Sequence, residues 1–304
     1  MVTLILLTAF LSACSLPAAR YYNARGLAEY EKGKYKEALA DLDEAILLDP
    51  RFAEAFNNRG LVFEALGNYD RAFADYDQAI ILNSRIALAF NNRGSIFYRK
   101  GEYDNAILEY DKAIKLDPQL TTAYSNRGLA YYHKEDLDHA IADYDVAIKL
   151  DPQMAIVWNN RGLAYYKRGN SDMAISNLDE SLRLQPSLAT AHSNRGLAYY
   201  SAGDFEKALT DLNEAIRLAP KDHNAYQTRA RTYEATREID LAIADFTKVI
   251  ELVPDVIDTR IERGICYQKR GNKPEAAGDF QWVLEHSPLK EYQIQAQQLL
   301  RDLK

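Results

Sequence analysis

Cysteine is nearly absent from these 304 residues: Cys14 and Cys266 are the two. That count excludes a disulfide framework and a cysteine-rich zinc module, and Cys266, alone in a helical pattern, reads as a packing residue. The five histidines, His133, His139, His192, His223 and His286, fall at unrelated places and form no row. No phosphate loop, dinucleotide fingerprint, metal-ligand cluster or nucleophile motif occurs. The expectation is therefore no enzyme, no catalytic residues, no metal and no cofactor. Basic residues are outnumbered, 37 to 44, for a net charge of −7, and they do not cluster; nucleic acid is not an expected partner. No glycine-rich, proline-rich or low-complexity linker interrupts the chain, so one elongated domain is expected where length alone suggests two.

What the sequence has is repetition. SNRGLAYY stands at 125–132 and again at 193–200, with NNRGLAYY midway at 159–166. The interval is 34 residues, and a fixed period of that size signals stacked units. Glycine recurs at Gly26, Gly60, Gly94, Gly128, Gly162 and Gly196, becomes Ala230, and returns at Gly264. Alanine follows twelve residues after each, from Ala38 to Ala276. Proline closes seven units, from Pro50 to Pro288, with Ser84 the exception.

Counting Ala19 as position 1, large or aromatic residues fall at position 4, small ones at 8 and aromatics at 11, which is one helical face. Position 15 is usually glycine (Gly33, Gly67, Gly101, Gly169, Gly203, Gly271), suited to a left-handed helix end. Glu135 and Arg237 stand there in units four and seven, and those two turns are expected to differ in shape or to be strained. A second stripe runs through positions 20, 24 and 27, and the proline at 32 stops the second helix. Each unit is two short antiparallel helices, with small residues at 8 and 20 where the backbones approach.

These residues resemble the tetratricopeptide repeat family over about nine-tenths of the chain. The resemblance implies an all-α fold, an α-solenoid: a right-handed superhelix of eight 34-residue helix-turn-helix repeats whose first helices line a concave groove, closed by a C-terminal capping helix. The expected division is a signal segment at 1–18, eight repeats at 19–290, and a cap at 291–304 whose apolar stripe is Tyr292, Ala296, Leu299 and Leu303.

MVTLILLTAFLSAC precedes the repeats, and Leu11-Ser12-Ala13-Cys14 resembles the lipobox of bacterial lipoproteins. The resemblance implies that Cys14 is acylated and becomes the mature N-terminus, tethering the protein through lipid to an envelope membrane outside the cytoplasm. No basic residue precedes the apolar run, a departure from the usual first region of a signal. The alternatives are an uncleaved or conventionally cleaved signal and a non-secretory apolar end. The first repeat helix is expected to begin at about Tyr21, close behind the tether.

Arginine fills position 7 in all eight units: Arg25, Arg59, Arg93, Arg127, Arg161, Arg195, Arg229 and Arg263. At about 100° per residue this position lies roughly 170° from the groove positions 5, 6, 9 and 12. Position 23, opposite it in the partner helix, is acidic in seven units, with Asn177 the exception. The reading is an internal ladder of arginine–carboxylate pairs, with anion binding as the alternative.

Asparagines at position 6 (Asn58, Asn92, Asn126, Asn160, Asn194) face the groove side, and Asn57, Asn91 and Asn159 add amides at position 5. An amide offers donor and acceptor, so such a row could hold an extended peptide backbone; the resemblance supports this, since superhelical members of the family use such a ladder. The bland alternative is solvated asparagine. Tyr98, Tyr132, Tyr166 and Tyr200 at position 12, with Leu129, Leu163 and Leu197 at position 9, either form a groove floor or are buried by neighbouring repeats. Family members that bind chaperone tails use groove cations as a carboxylate clamp; Arg99, Lys167 and Lys269 at position 13 are too sparse to assign that role.

The resulting expectation is a non-catalytic adaptor tethered to a bacterial envelope membrane, binding a peptide segment or helix of a partner in its groove. In architecture it looks like the repeat-bearing lipoproteins that organise cell-wall hydrolases or pilot outer-membrane and pilus assembly. The alternative is a self-associating structural protein, a homo-oligomer.

Overall fold

The computed structural model describes residues 2–303, with side chains from Leu16 onward. The described residues form helices and turns, without strands. They divide into two compact units, 1–152 and 153–304. The first holds four helix pairs: α1 (Val2–Glu31) with α2 (Tyr35–Leu48), α3 (Ala53–Ala65) with α4 (Tyr69–Leu82), α5 (Ala87–Arg99) with α6 (Tyr103–Leu116), and α7 (Thr121–His133) with α8 (Leu137–Leu150). The second holds α9 (Ala155–Lys167) with α10 (Ser171–Leu184), α11 (Ala189–Ala202) with α12 (Phe205–Leu218), α13 (His223–Ala235) with α14 (Ile239–Leu252), α15 (Ile257–Arg270) with α16 (Lys273–His286), and the last helix α17 (Lys290–Asp302). The architecture is a solenoid of helix pairs on the 34-residue period, as the sequence predicts. One start differs: α1 does not begin near Tyr21 but runs unbroken from Val2 through Pro17. Cys14 lies outside the residues whose side chains are described.

Local chemistry sets the turns. Asn68, Asp136, Asn170 and Asp204 cap the second helices of their repeats, each side chain accepting from the backbone N–H three residues on. At the far end Asp49, Asn83 and Asp117 accept from the N–H two residues on, a local turn that competes with further helix. Asn83 makes this contact beside Ser84 as well, so the turn survives where the proline is missing.

Between the paired helices all six position-15 glycines have φ between 73° and 88°. Glu135 and Arg237 adopt the same conformation, φ 64° and 67°. Their hydrogen bonds, such as Glu135 N–H to the Tyr132 carbonyl and Asp136 N–H to that of Tyr131, repeat those around Gly101. The turns therefore keep their shape and carry strain, because a Cβ in the left-handed region costs about 1–2 kcal/mol. Glu135→Gly and Arg237→Gly are each expected to raise stability by about 0.5–1 kcal/mol, after allowing for glycine's greater unfolded entropy; urea-denaturation midpoints measure it.

The core lies between the helices of each pair. Position 20 is fully buried alanine, and position 24 supplies Leu42, Tyr76, Tyr110, Tyr144, Leu178, Leu212, Phe246 and Phe280, at most 1% exposed. Position 10, absent from the sequence-based stripes, is also fully buried in repeats two to eight: Val62 packs into the cluster of Ala38 and Leu42 in the preceding repeat, Ile96 into that of Ala72 and Tyr76, and Cys266 into that of Ala242 and Phe246. Cys266 is thus a packing residue, and burial pushes its thiol up to about 12. Helix α17 covers the Phe280 cluster with Ala296 and Leu303 buried and Tyr292 and Leu299 beside them, the stripe expected of a cap.

Candidate functional site

The position-7 arginines turn inward. In seven repeats Nε donates to the position-23 carboxylate at 2.6–3.0 Å: Arg25 to Asp41, Arg59 to Asp75, Arg93 to Glu109, Arg127 to Asp143, Arg195 to Asp211, Arg229 to Asp245 and Arg263 to Asp279. All but the Glu109 pair are bidentate, with Nη2 on the second oxygen. Arg161 donates to Asn177 at 2.7 Å. Six of the guanidiniums also lie against position-4 rings, as Arg161 does on Trp158 at 4.7 Å.

Sequence reasoning missed the third contact. Nη1 of Arg59, Arg93, Arg127 and Arg195 reaches back to Asp43, Asp77, Asp111 and Asp179 of the preceding repeat, and Arg229 reaches Asn213. Position 25 carries this row, and its run of aspartates was visible in the sequence. Each of these five arginines thus pins its own helix pair and the one before it.

Burial and charge compete along the ladder. Burial raises the Asp143 carboxyl above its ordinary range against the pull of Arg127. Asp211 is likewise pushed up by burial, but Arg195 and His192 together outweigh that and lower it. His192 replaces the usual position-4 ring, with Nδ1 3.0 Å from Asp211 and Nε2 3.0 Å from the Pro186 carbonyl. Two acceptors face two ring nitrogens, so only the imidazolium donates to both; the contact with Asp211 raises its pKa.

The amides form a relay. Asn126 Nδ2 donates to Asn91, Asn91 to Asn92, Asn92 to Asn57, Asn57 to Asn58, and Asn58 to Asn23, at 2.9–3.3 Å. In the second unit Asn194 donates to Asn159 and Asn159 to Asn160. The position-5 members are not open groove amides: Asn57, Asn91 and Asn159 are 3–5% exposed, committed to joining one repeat to the next. The position-6 members stay half-buried. A carboxamide has two donors and two acceptor sites, so a relay member spends half of its capacity.

In each unit the first helices of the repeats line a depression. In the first unit a depression of about 440 Å³ is lined by residues of α1, α3, α5 and α7, among them Leu61, Leu88, Asn92 and Asn126. In the second a depression of about 570 Å³ is lined by α9, α11 and α13 and the cap of α13, with Ile156, Leu163 and Leu197 as its apolar floor and Asn160, Asn194 and Arg231 beside them. Leu129 is half-buried. The position-12 tyrosines are half-buried: Tyr98 contacts Tyr103 and His133 at 5.6 and 5.5 Å, Tyr132 meets His133 edge-on, Tyr166 bonds Ser201, and Tyr200 lies against Phe205. Tyr98 and Tyr200 thus meet the first residues of the second helix in their own pairs.

Among the described residues no group of histidine, cysteine, aspartate or glutamate could hold a metal ion, and no helix is long and apolar enough to cross a membrane.

Profiles described as TPR repeat match residues 26–67, 94–135 and 128–169, and tetratricopeptide repeat profiles match 53–85, 153–221 and 223–255. No curated relative matches the chain. Among solved structures, a chain of the APC/C hetero-tetramer Cut9–Hcn1 is similar at 16% identity and TM-score 0.74, over 88% of this chain and 52% of that one. This chain therefore spans about half the length of that relative. Pseudomonas aeruginosa pilF is similar at 21% identity and TM-score 0.63, over 71% and 98%. A tetratricopeptide repeat protein from Parabacteroides merdae follows at 22% and 0.62, over 83% and 98%. At these identities the likeness is one of fold. Repeats of this kind typically mediate protein–protein interaction and are generally non-catalytic scaffolds. By its repeats and its fold, the chain belongs to the tetratricopeptide repeat family.

Proposed function

We propose that the protein is a non-catalytic adaptor, lipid-tethered at Cys14 to a bacterial envelope membrane, that holds an extended segment or helix of a partner protein in its concave surface. The observation that carries the binding reading is the second-unit depression, whose floor is apolar and whose walls are carboxamides with spare donors and acceptors. An apolar base with a few oriented polar groups suits peptide recognition. The tether rests on the segment ending in Leu11-Ser12-Ala13-Cys14.

The binding test is a pull-down from detergent-solubilised envelope with wild type and an Asn126→Ala/Asn160→Ala/Asn194→Ala variant, read by mass spectrometry. Wild type is expected to retain a defined partner that the folded variant loses; retention of every partner by the variant contradicts the reading. Radiolabelled palmitate is expected on wild type and absent from Cys14→Ser. Light scattering of the purified protein separates this reading, which expects a monomer, from self-association.

A further inference from the structure

Position 29 of the second helices lies about 180° around the helix from the buried stripe at positions 20, 24 and 27. In the second unit this outer row is polar and satisfied on its own helix: Arg183 bonds Glu180, Arg217 bonds Glu214, Glu251 bonds Lys248, and Glu285 accepts from Gln281. The first unit departs from that pattern. Leu47 on α2 and Ile81 on α4 hold the position at 72% and 69% exposure, the two most exposed large apolar side chains among the described residues. Lys115 on α6 and Lys149 on α8 continue the row, and Arg51 and Arg85 stand four residues after Leu47 and Ile81, in the turns beyond the helices. All four cations are exposed, and among the described residues none has an ion pair. Neighbouring acids are committed: Asp43, Asp77 and Asp111 hold arginines of the next repeat, while Asp49 and Asp117 accept backbone N–H groups. Glu44, one turn before Leu47, stands against the four cations. Exposed apolar side chains among unpaired, flexible cations suit an anionic lipid surface, where the former enter the interface and the latter reach phosphate. A protein surface of fixed shape would have to order those long side chains; a fluid layer of headgroups follows them.

We infer that the outer face of the first unit's second helices lies on an anionic lipid surface, with Leu47 and Ile81 in the interface and Arg51, Arg85, Lys115 and Lys149 on headgroup phosphates. This rests on the membrane reading above and adds the face that meets the lipid. Contact of this kind needs no membrane-spanning helix.

The test uses full-length protein carrying Cys14→Ser, so that no lipid tethers it, with an environment-sensitive fluorophore on Gln78→Cys, one turn before Ile81, or on Ser176→Cys, on the outer face of α10. Cys266 is fully buried and stays unlabelled. Vesicles of phosphatidylcholine, alone or mixed with phosphatidylglycerol, are titrated in. The label at 78 is expected to brighten and shift to the blue on the mixed vesicles, less so without phosphatidylglycerol or at high salt, and the label at 176 to stay unchanged. Arg51→Gln/Arg85→Gln should weaken partitioning onto the mixed vesicles about tenfold or more, at roughly fivefold per cation. Leu47→Ser/Ile81→Ser should weaken it by a similar factor, through lost apolar burial. No response at 78, a response equal on both vesicles, or one that neither double variant reduces overturns the assignment of this face. A response at 78 to detergent-solubilised envelope protein but not to vesicles gives the face to a protein and overturns the lipid reading. The tether is judged separately: absence of palmitate from wild type with a response at 78 removes the lipid anchor and leaves this face standing.

Discussion

Arg127→Leu is expected to destabilise the fold by about 3–5 kcal/mol, the cost of removing one partner from a buried ion pair. The Asp143 carboxylate is 8% exposed and both its oxygens accept from Arg127, at 2.8 and 2.7 Å; leucine would leave it buried without its counter-charge. The double variant Arg127→Leu/Asp143→Leu is expected to recover most of that loss, since apolar replacement of a whole buried pair is often neutral or better. Chemical denaturation of wild type, single and double variants measures both. The raised Asp143 pKa points the same way. A carboxyl whose folded pKa exceeds its unfolded value favours folding below the unfolded value and loses that contribution as pH rises through the folded one. At neutral pH the pair is held against its desolvation. What it supplies is register: one guanidinium joins Asp143 in its own repeat to Asp111 in the preceding one.

Gly94→Ala is expected to cost about 1–3 kcal/mol, the usual penalty of overpacking a core. A Cβ there would stand 2.7 Å from Cε1 and 2.9 Å from Cδ1 of Tyr110. Tyr110 is 1% exposed, so its ring has little space to move. Gly278 gives the contrast within the same protein. It too lies inside a helix, but a Cβ meets nothing within 4 Å. Gly278→Ala is expected to gain about 0.5–1 kcal/mol from helix propensity. Thermal or urea denaturation of the two variants checks opposite signs for the same chemical change; a loss in both contradicts the packing account of the repeated glycine.

The repeat letters made the helix pairs, the left-handed turns and the arginine–carboxylate pairing legible, because each depends on chemistry local to one 34-residue unit. Contacts between units were harder to read. The aspartates at position 25 have a clear sequence signal, but Asp43, Asp77, Asp111 and Asp179 meet their arginines in the following repeat. Position 10 escaped the stripes because it faces the preceding repeat rather than the partner helix. Position-6 amides line the depressions, while the burial of Asn57, Asn91 and Asn159 follows from how closely adjacent first helices approach, which composition does not state. The hydrogen bonds from Gln227 and Arg231 to Glu262 were hidden for the opposite reason: each residue departs from the repeat pattern, and the contacts form only when α13 and α15 lie side by side.

The account's central claim is that the ladder holds the repeats together while the first-helix surface meets the partner. Its most direct test compares, by quantitative mass spectrometry of proteins co-purified from native envelope, two folded variants with wild type. Leu163→Glu/Leu197→Glu should lose the wild-type partners; Arg229→Leu/Asp245→Leu should keep them. Partners retained by the first variant, or lost by the second while its helical content is intact, would contradict the account.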